Sequence, residues 1–205
     1  TGWIKFSGRP AIDYGVQIDT SRGNRLTGYA WSANLGWLAF DRSAAGNPPF
    51  ADIGDPRDVT SPLSYLDASI NPPRLRGWAR FCSVFQTSCS GNETDLRSFN
   101  DRGGWDGWMR FSGPTEGTPT YGVIREGDEL KGEAWGSDVV GWVRFNGVAQ
   151  DGTPYGVTLS GVVVEPEPSD LSITLDANPS SGKKPLTTDL ITTFVNPPNP
   201  GDTFK

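Results

Sequence analysis

Histidine is absent from this sequence, and cysteine (2) and methionine (1) are nearly so. Without an imidazole, Ser-His-Asp and Cys-His constellations cannot be assembled, and histidine-ligated metals are excluded. No phosphate-cradling glycine loop followed by Lys-Ser/Thr occurs. Apolar runs are short; none reaches the roughly 18 residues that a membrane-spanning helix needs. There is no charged-then-apolar leader, and Thr1 reads as a processed or trimmed start. Positive charge is in deficit: 18 Lys and Arg against 24 Asp and Glu leave a net charge of −6. That balance argues against a nucleic-acid partner, which requires a basic surface, and discourages adhesion to anionic lipid. Helical periodicity is also missing, since no stretch repeats apolar residues at i, i+3, i+4, i+7 over three turns.

What is abundant points one way. Gly 26 and Pro 17 accompany an aromatic content of 11 % with eight Trp. A disordered chain would be poor in aromatics, so glycine and proline read as turn residues between short strands, with the indoles as core anchors. The expected fold class is all-β: antiparallel β-meander repeats forming a sandwich or barrel-like domain.

The repeat emerges once the tryptophans are aligned. Gly-Trp-x-x-Phe occurs at Gly2–Phe6, Gly36–Phe40, Gly77–Phe81, Gly107–Phe111 and Gly141–Phe145. Trp3 and Trp37 stand 34 positions apart, as do Trp108 and Trp142. Tyr-Gly-Val begins at Tyr14, Tyr121 and Tyr155, and Leu-x-Gly-x-Ala-Trp runs over Leu26–Trp31 and Leu130–Trp135. Leu75-Arg76-Gly77-Trp78-Ala79 fuses features of the first and third elements. Each unit reads as three short strands. Strand alternation puts Val143 and Phe145 on one face and Trp142 and Arg144 on the other, and likewise pairs Trp3 with Lys5, Trp78 with Arg80 and Trp108 with Arg110. One face is core; the other sets a cation beside an indole, a contact worth about 0.5–1 kcal/mol when exposed. Gly132 and Ala134, on the face of Leu130, are expected to leave room for large rings from neighbours.

Insertions at about 41–74 and 82–104 interrupt the repeat and read as surface excursions, or as interaction loops. The repeat domain spans 1–164, a Pro/Glu linker spans 165–170, and 171–205 carries strand-like alternation at Leu171, Ile173 and Leu175. Cys82 and Cys89 read as a disulfide closing a small loop, which implies an oxidising compartment; a pair of buried free thiols is the alternative. Asp52, Asp55 and Asp58 are weak calcium candidates, with hard oxygen donors but no twelve-residue loop pattern; no other cofactor is indicated. Asn92 begins a glycosylation acceptor, Asn92-Glu93-Thr94. Asp101, Asp106 and Asp138 lie near the Trp motifs, where paired carboxylates among aromatic platforms would suit sugar hydrolysis, but no spacing selects a pair.

Two segments resemble known families. Gly77-Trp78-Ala79-Arg80, Gly103-Gly104-Trp105-Asp106-Gly107-Trp108, Tyr155-Gly156-Val157 and Ala134 through Trp142 resemble the tryptophan-rich repeats of large secreted or surface proteins of uncultivated candidate-phylum bacteria. That resemblance covers about 1–161 and implies little function. Ala177-Asn178-Pro179-Ser180-Ser181-Gly182-Lys183-Lys184-Pro185-Leu186 is similar to the opening of a polycystic-kidney-disease-type immunoglobulin-like domain, which implies a spacer or adhesion role and a partial immunoglobulin-like β segment over 171–205.

Together these readings lead to an expected extracellular or cell-surface structural and adhesive protein, not an enzyme. It would be a subunit of a filament or appendage, with both ends of the chain read as open and self-association head to tail by strand pairing. The alternative is a carbohydrate-binding surface module using Trp3, Trp78, Trp105, Trp108 and Trp142 as platforms for glycans; a glycoside hydrolase comes third. Trp31, Trp37 and Trp135 complete the set of indoles, which are structural if they pack between repeats.

Overall fold

A computed structural model describes residues 2–8, 14–49, 63–115 and 118–160, with backbone alone at 114–115, 118–119, 173–178 and 189–194. Asp52, Asp55, Asp58 and the 165–170 linker lie outside the described residues. The chain divides into Thr1–Val164 and Glu165–Lys205.

The first unit is all-β. Its strands are β1 (Ile4–Lys5), β2 (Ser7–Gly8), β3 (Tyr14–Asp19), β4 (Arg25–Ser32), β5 (Gly36–Ala39), β6 (Ser64–Asp67), β7 (Arg74–Phe81), β8 (Trp108–Arg110), β9 (Ser112–Thr115), β10 (Thr118–Glu126), β11 (Glu129–Trp135), β12 (Trp142–Arg144), β13 (Asn146–Val148) and β14 (Pro154–Thr158). All fourteen join one antiparallel sheet. The second unit contributes one antiparallel pair, β15 (Ile173–Asn178) with β16 (Asp189–Phe194).

Three long strands organise the sheet, because each belongs to two ladders. Along one half the order is β1-β4-β5-β7-β8-β11-β12. Along the other it is β3-β4-β6-β7-β10-β11-β14. Strands β4, β7 and β11 therefore run the full height, and they are the Leu-x-Gly-x-Ala segments. Each column between them is built from two shorter pieces, a Gly-Trp strand above and a Tyr-Gly-Val strand (or β6) below. Hairpins β2–β3, β9–β10 and β13–β14 project where the short pieces meet.

Three readings change with this topology. The Gly77–Phe81 segment matches Gly-Trp-x-x-Phe in words, yet by position it is the second half of a full-height strand; Arg80 stands where β4 and β11 carry Trp31 and Trp135. Gly28, Gly77 and Gly132 sit where each long strand passes from one ladder to the other, with φ of +87°, +81° and +97°. A Cβ there would run into the carbonyl oxygens of Gly15, Leu63 and Gly122 respectively, so these glycines allow close backbone approach and a left-handed kink rather than space for rings. Finally, the segment expected as one insertion over 41–74 contains β6, which fills the Tyr-Gly-Val position of its repeat.

The core alternates as the pleat demands. Ala30, Ala79 and Ala134 are buried beside Leu26, Leu75 and Leu130, and the Gly-Trp strands turn Leu38, Met109, Phe40, Phe111 and Phe145 inward. Phe6, Phe40, Phe111 and Phe145 close a ring: centroids lie 5.8 Å apart for Phe6–Phe40, 5.8 Å for Phe40–Phe111, 6.2 Å for Phe111–Phe145 and 5.3 Å for Phe145–Phe6. Each such contact adds about 0.5–1.5 kcal/mol beyond area burial. The ring shows that the sheet curls until its first and last columns meet.

The 82–104 insertion is anchored rather than loose. Cys82, Val84 and Phe85 are buried, and Phe85 bridges Leu96. Cys82 and Cys89 form a disulfide. Closing so short a loop stabilises by about 2–3 kcal/mol on the chain-entropy account. The Cys82→Ala/Cys89→Ala double variant is expected to unfold roughly 5–10 °C lower in a calorimetric scan; an unchanged midpoint would show that the loop is held by Phe85 and Leu96 alone.

Candidate functional site

The outer face of the Gly-Trp half carries a repeated aromatic figure. Trp37 meets Tyr14 edge-on at 5.0 Å and Trp142 meets Tyr121 at 5.1 Å, so the indole of one repeat seats on the tyrosine of the repeat before. The long strand between them adds its own indole, Trp31 against Trp37 at 4.7 Å and Trp135 against Trp142 at 4.8 Å. Trp3 repeats the first contact: it meets Tyr155 of the last column edge-on at 5.0 Å. No described strand lies between the columns that Trp3 and Tyr155 belong to.

There the sheet has a seam. Among the described residues β1 pairs only with β4, β12 only with β11, and β3 and β14 have no partner in the direction of each other. A cavity of about 500 Å³ opens between β1 and β12, lined by Trp3, Ile4, Phe6, Val143, Phe145 and Tyr155. A second, of about 420 Å³, opens between β3 and β14, lined by Val16, Ile18, Leu26, Leu130, Val157 and Leu159. Exposed apolar surface gathers beside the first: Trp3 is 57 % exposed, Trp142 44 % and Val148 67 %. The cation that lines it, Arg144, is already engaged, its Nε donating to Glu133 at 2.8 Å.

The other predicted residues sit elsewhere. Trp78, Trp105 and Trp108 are buried, which removes them as open sugar platforms; Trp31, Trp37 and Trp135 are half-buried. Cation and indole do meet, but across strands rather than along one. Arg80 lies over Trp108 at 4.5 Å and Arg110 over Trp78 at 5.4 Å, because directly opposed residues of β7 and β8 approach more closely than i and i+2 on one strand. Asn92 is exposed, and its Oδ1 accepts from the N–H and hydroxyl of Thr94 at 3.0 and 2.9 Å, capping a 3-10 turn. Asp101 accepts from the Ser98 hydroxyl, and Asp106 from the Trp108 N–H. Asp138 stands in the first turn of the short helix Ser137–Val140. None of these three is joined to another by a hydrogen bond. No group of three Asp, Glu or Cys able to hold a metal occurs among the described residues.

Shifted acids are structural. Burial raises the Asp67 pKa, but hydrogen bonds from Ser69 and Arg76 outweigh it and hold the carboxyl below its usual range. A hydrogen bond from Ser90 and the Thr87 N–H lower Asp95 beside the disulfide loop.

A third hollow, of about 500 Å³ and aromatic, is lined by Tyr14, Tyr29 and Trp37 with Gln17, Thr27 and Ser88. No helix among the described residues is long and apolar enough to cross a membrane. Compared with family models, curated proteins and solved structures, the chain matches none of them. The seam was missed in the sequence because it is a property of column order, although the unmatched Gly-Trp count (four by position against three Leu-x-Gly strands) carries the signal.

Proposed function

We propose that this is an extracellular structural or adhesive protein, a subunit of a cell-surface filament or appendage assembled by pairing β-strands between subunits. One observation supports it above the rest: two strand edges that pair with no described strand on their facing sides lie across an apolar seam, flanked by exposed Trp3 and Trp142. Such edges are templates for another chain. The disulfide suits an oxidising, extracellular setting. Head-to-tail self-association is the simplest form of the assembly, and a non-closing contact of that kind propagates into fibres. Light scattering with negative-stain imaging tests it. Mass that grows with concentration is the expected result; a monomer mass and monomer particles at high concentration would remove the self-assembling form.

A carbohydrate-binding role is the second reading, and the hollow around Trp37 favours it, since it joins three aromatic faces to the amide and hydroxyls of Gln17, Thr27 and Ser88. A glycan array with tryptophan-fluorescence titration decides it: Trp37→Ala should abolish any response, and silence across the array removes the reading.

A further inference from the structure

The seam has the markers of an occupied column boundary but no described strand in it. We infer that it receives one antiparallel β-strand of the pattern Leu-x-Gly-x-Ala-Trp, supplied by another polypeptide. This rests on the strand-pairing reading above and goes beyond it by naming the strand and its register.

Alternation carries the first part. Reading round the sheet, Gly-Trp columns and Leu-x-Gly columns strictly alternate: β4 separates β1 from β5, β7 separates β5 from β8, and β11 separates β8 from β12. Among the described strands, only β12 and β1 are neighbours without a Leu-x-Gly strand between them. Width carries the second. The Phe145–Phe6 spacing across the empty position, 5.3 Å, is close to the 5.8–6.2 Å spacing across the three filled ones. The Trp3–Tyr155 contact across it matches Trp37–Tyr14 and Trp142–Tyr121, both of which span a filled position.

The filled positions fix the register. Hairpin-side pairs such as Trp31↔Trp37 and Ala30↔Leu38 place the guest Trp opposite Trp3 and the guest Ala opposite Ile4. On the other flank Lys5↔Trp31 and Arg110↔Trp135 place Arg144 opposite the guest Trp. In the lower half Val16↔Gly28 and Val123↔Gly132 set the guest Gly opposite Val157, and Leu130↔Val157 sets the guest Leu opposite Val16. Polar groups fit as well. The N–H groups of Phe40, Phe111 and Phe145 each donate to the carbonyl of Gly28, Gly77 and Gly132, at 3.1, 3.0 and 2.9 Å. Phe6, the fourth of the ring, has no such glycine beside it among the described residues. Gly28 and Gly132 donate in turn to the side chains of Asp41 and Asn146, each one residue after a ring phenylalanine; Ser7 holds that place after Phe6.

A second copy of the chain has no described Leu-x-Gly strand to spare, because β4, β7 and β11 are each paired on both flanks. Strands β15 and β16, which each keep one flank free among the described strands, lack the pattern. The guest is therefore a different polypeptide, and head-to-tail contact between copies would use other edges than this seam. The residues after Ser160, Gly161-Val162-Val163-Val164-Glu165-Pro166, lack the pattern, and Pro166 has no N–H for a ladder.

Hydrogen exchange read by mass spectrometry tests this on the full chain, with the synthetic peptide Glu-Leu-Lys-Gly-Glu-Ala-Trp-Gly, the sequence of residues 129–136, as probe. At ten times the dissociation constant, exchange in β1, β3, β12 and β14 should slow about tenfold, with β5–β8 unaffected. A peptide with valine for its first glycine, which cannot take the left-handed kink, and a scrambled peptide should both lose the effect. Equal protection by the scrambled peptide would overturn the strand's identity while leaving edge pairing standing. Absence of protection by any peptide would overturn the inference outright, whatever light scattering shows about assembly.

Discussion

Alanine in place of Gly77 is expected to destabilise the protein far more than alanine in place of Gly127, although both glycines lie in the left-handed region, at φ +81° and +59°. The shared backbone term is about 1–2 kcal/mol for any L side chain there. At Gly127, in the turn between β10 and β11, a Cβ meets nothing within 4 Å, so that term is the whole cost. At Gly77 the added carbon would collide with the Leu63 carbonyl oxygen, which is backbone and cannot rotate away. That carbonyl also accepts from the Trp78 N–H at 2.9 Å, and Gly77 O accepts from Phe111 N–H at 3.0 Å, so relief on one side strains a ladder on the other. Overpacking of this kind adds about 1–3 kcal/mol. Gly77→Ala should therefore unfold roughly 10 °C below the parent, and Gly127→Ala by less than half of that. Thermal unfolding of the two variants side by side is the measurement. Equal losses would mean that the kink serves only the φ angle and not the approach of two backbones.

The glycine kinks mark where reading the sequence stopped. Leu-x-Gly-x-Ala recurs plainly, and so does the alternation that buries Leu130 and Ala134, because pleat periodicity is local. What the glycine is for depends on which backbone comes alongside: Gly15 and Gly122 are the middle residues of Tyr-Gly-Val, but nothing in that motif announces the approach, and Leu63 lies outside it altogether. Strand β6 was illegible for a related reason. Ser64-Tyr65-Leu66 lacks the Tyr-Gly-Val words of β3, β10 and β14, yet the same column position and the same ladders define it. The seam depends on the same information, since four Gly-Trp strands and three Leu-x-Gly strands can be counted only once Gly77–Phe81 is assigned to the right class.

Arg80 was legible as a cation beside an indole but not as a buried one, and its removal carries the second large expected effect. It is 2 % exposed at the junction of β7 with both insertions. Its Nε donates to the Asp106 carbonyl at 2.8 Å, and Nη1 donates to the Ala45 carbonyl at 3.0 Å and to Glu93 Oε1 at 2.6 Å. The guanidinium plane lies 4.5 Å over Trp108 and 4.8 Å over Phe85. Replacing a buried ion pair with apolar groups is often harmless, which would favour a mild result for Arg80→Met. Here the balance differs, because Glu93 is half exposed and rehydrates, whereas the two carbonyls stay behind without donors. Orphaned buried acceptors cost about 1–3 kcal/mol each, so Arg80→Met should lose about 3 kcal/mol or more. Glu93→Gln should lose under about 1 kcal/mol, as solvent screens that end of the pair. Denaturant titration of the two variants and their double gives the coupling. An Arg80→Met protein as stable as the parent would show that the insertions are held by Phe85, Trp105 and the disulfide, with the guanidinium dispensable.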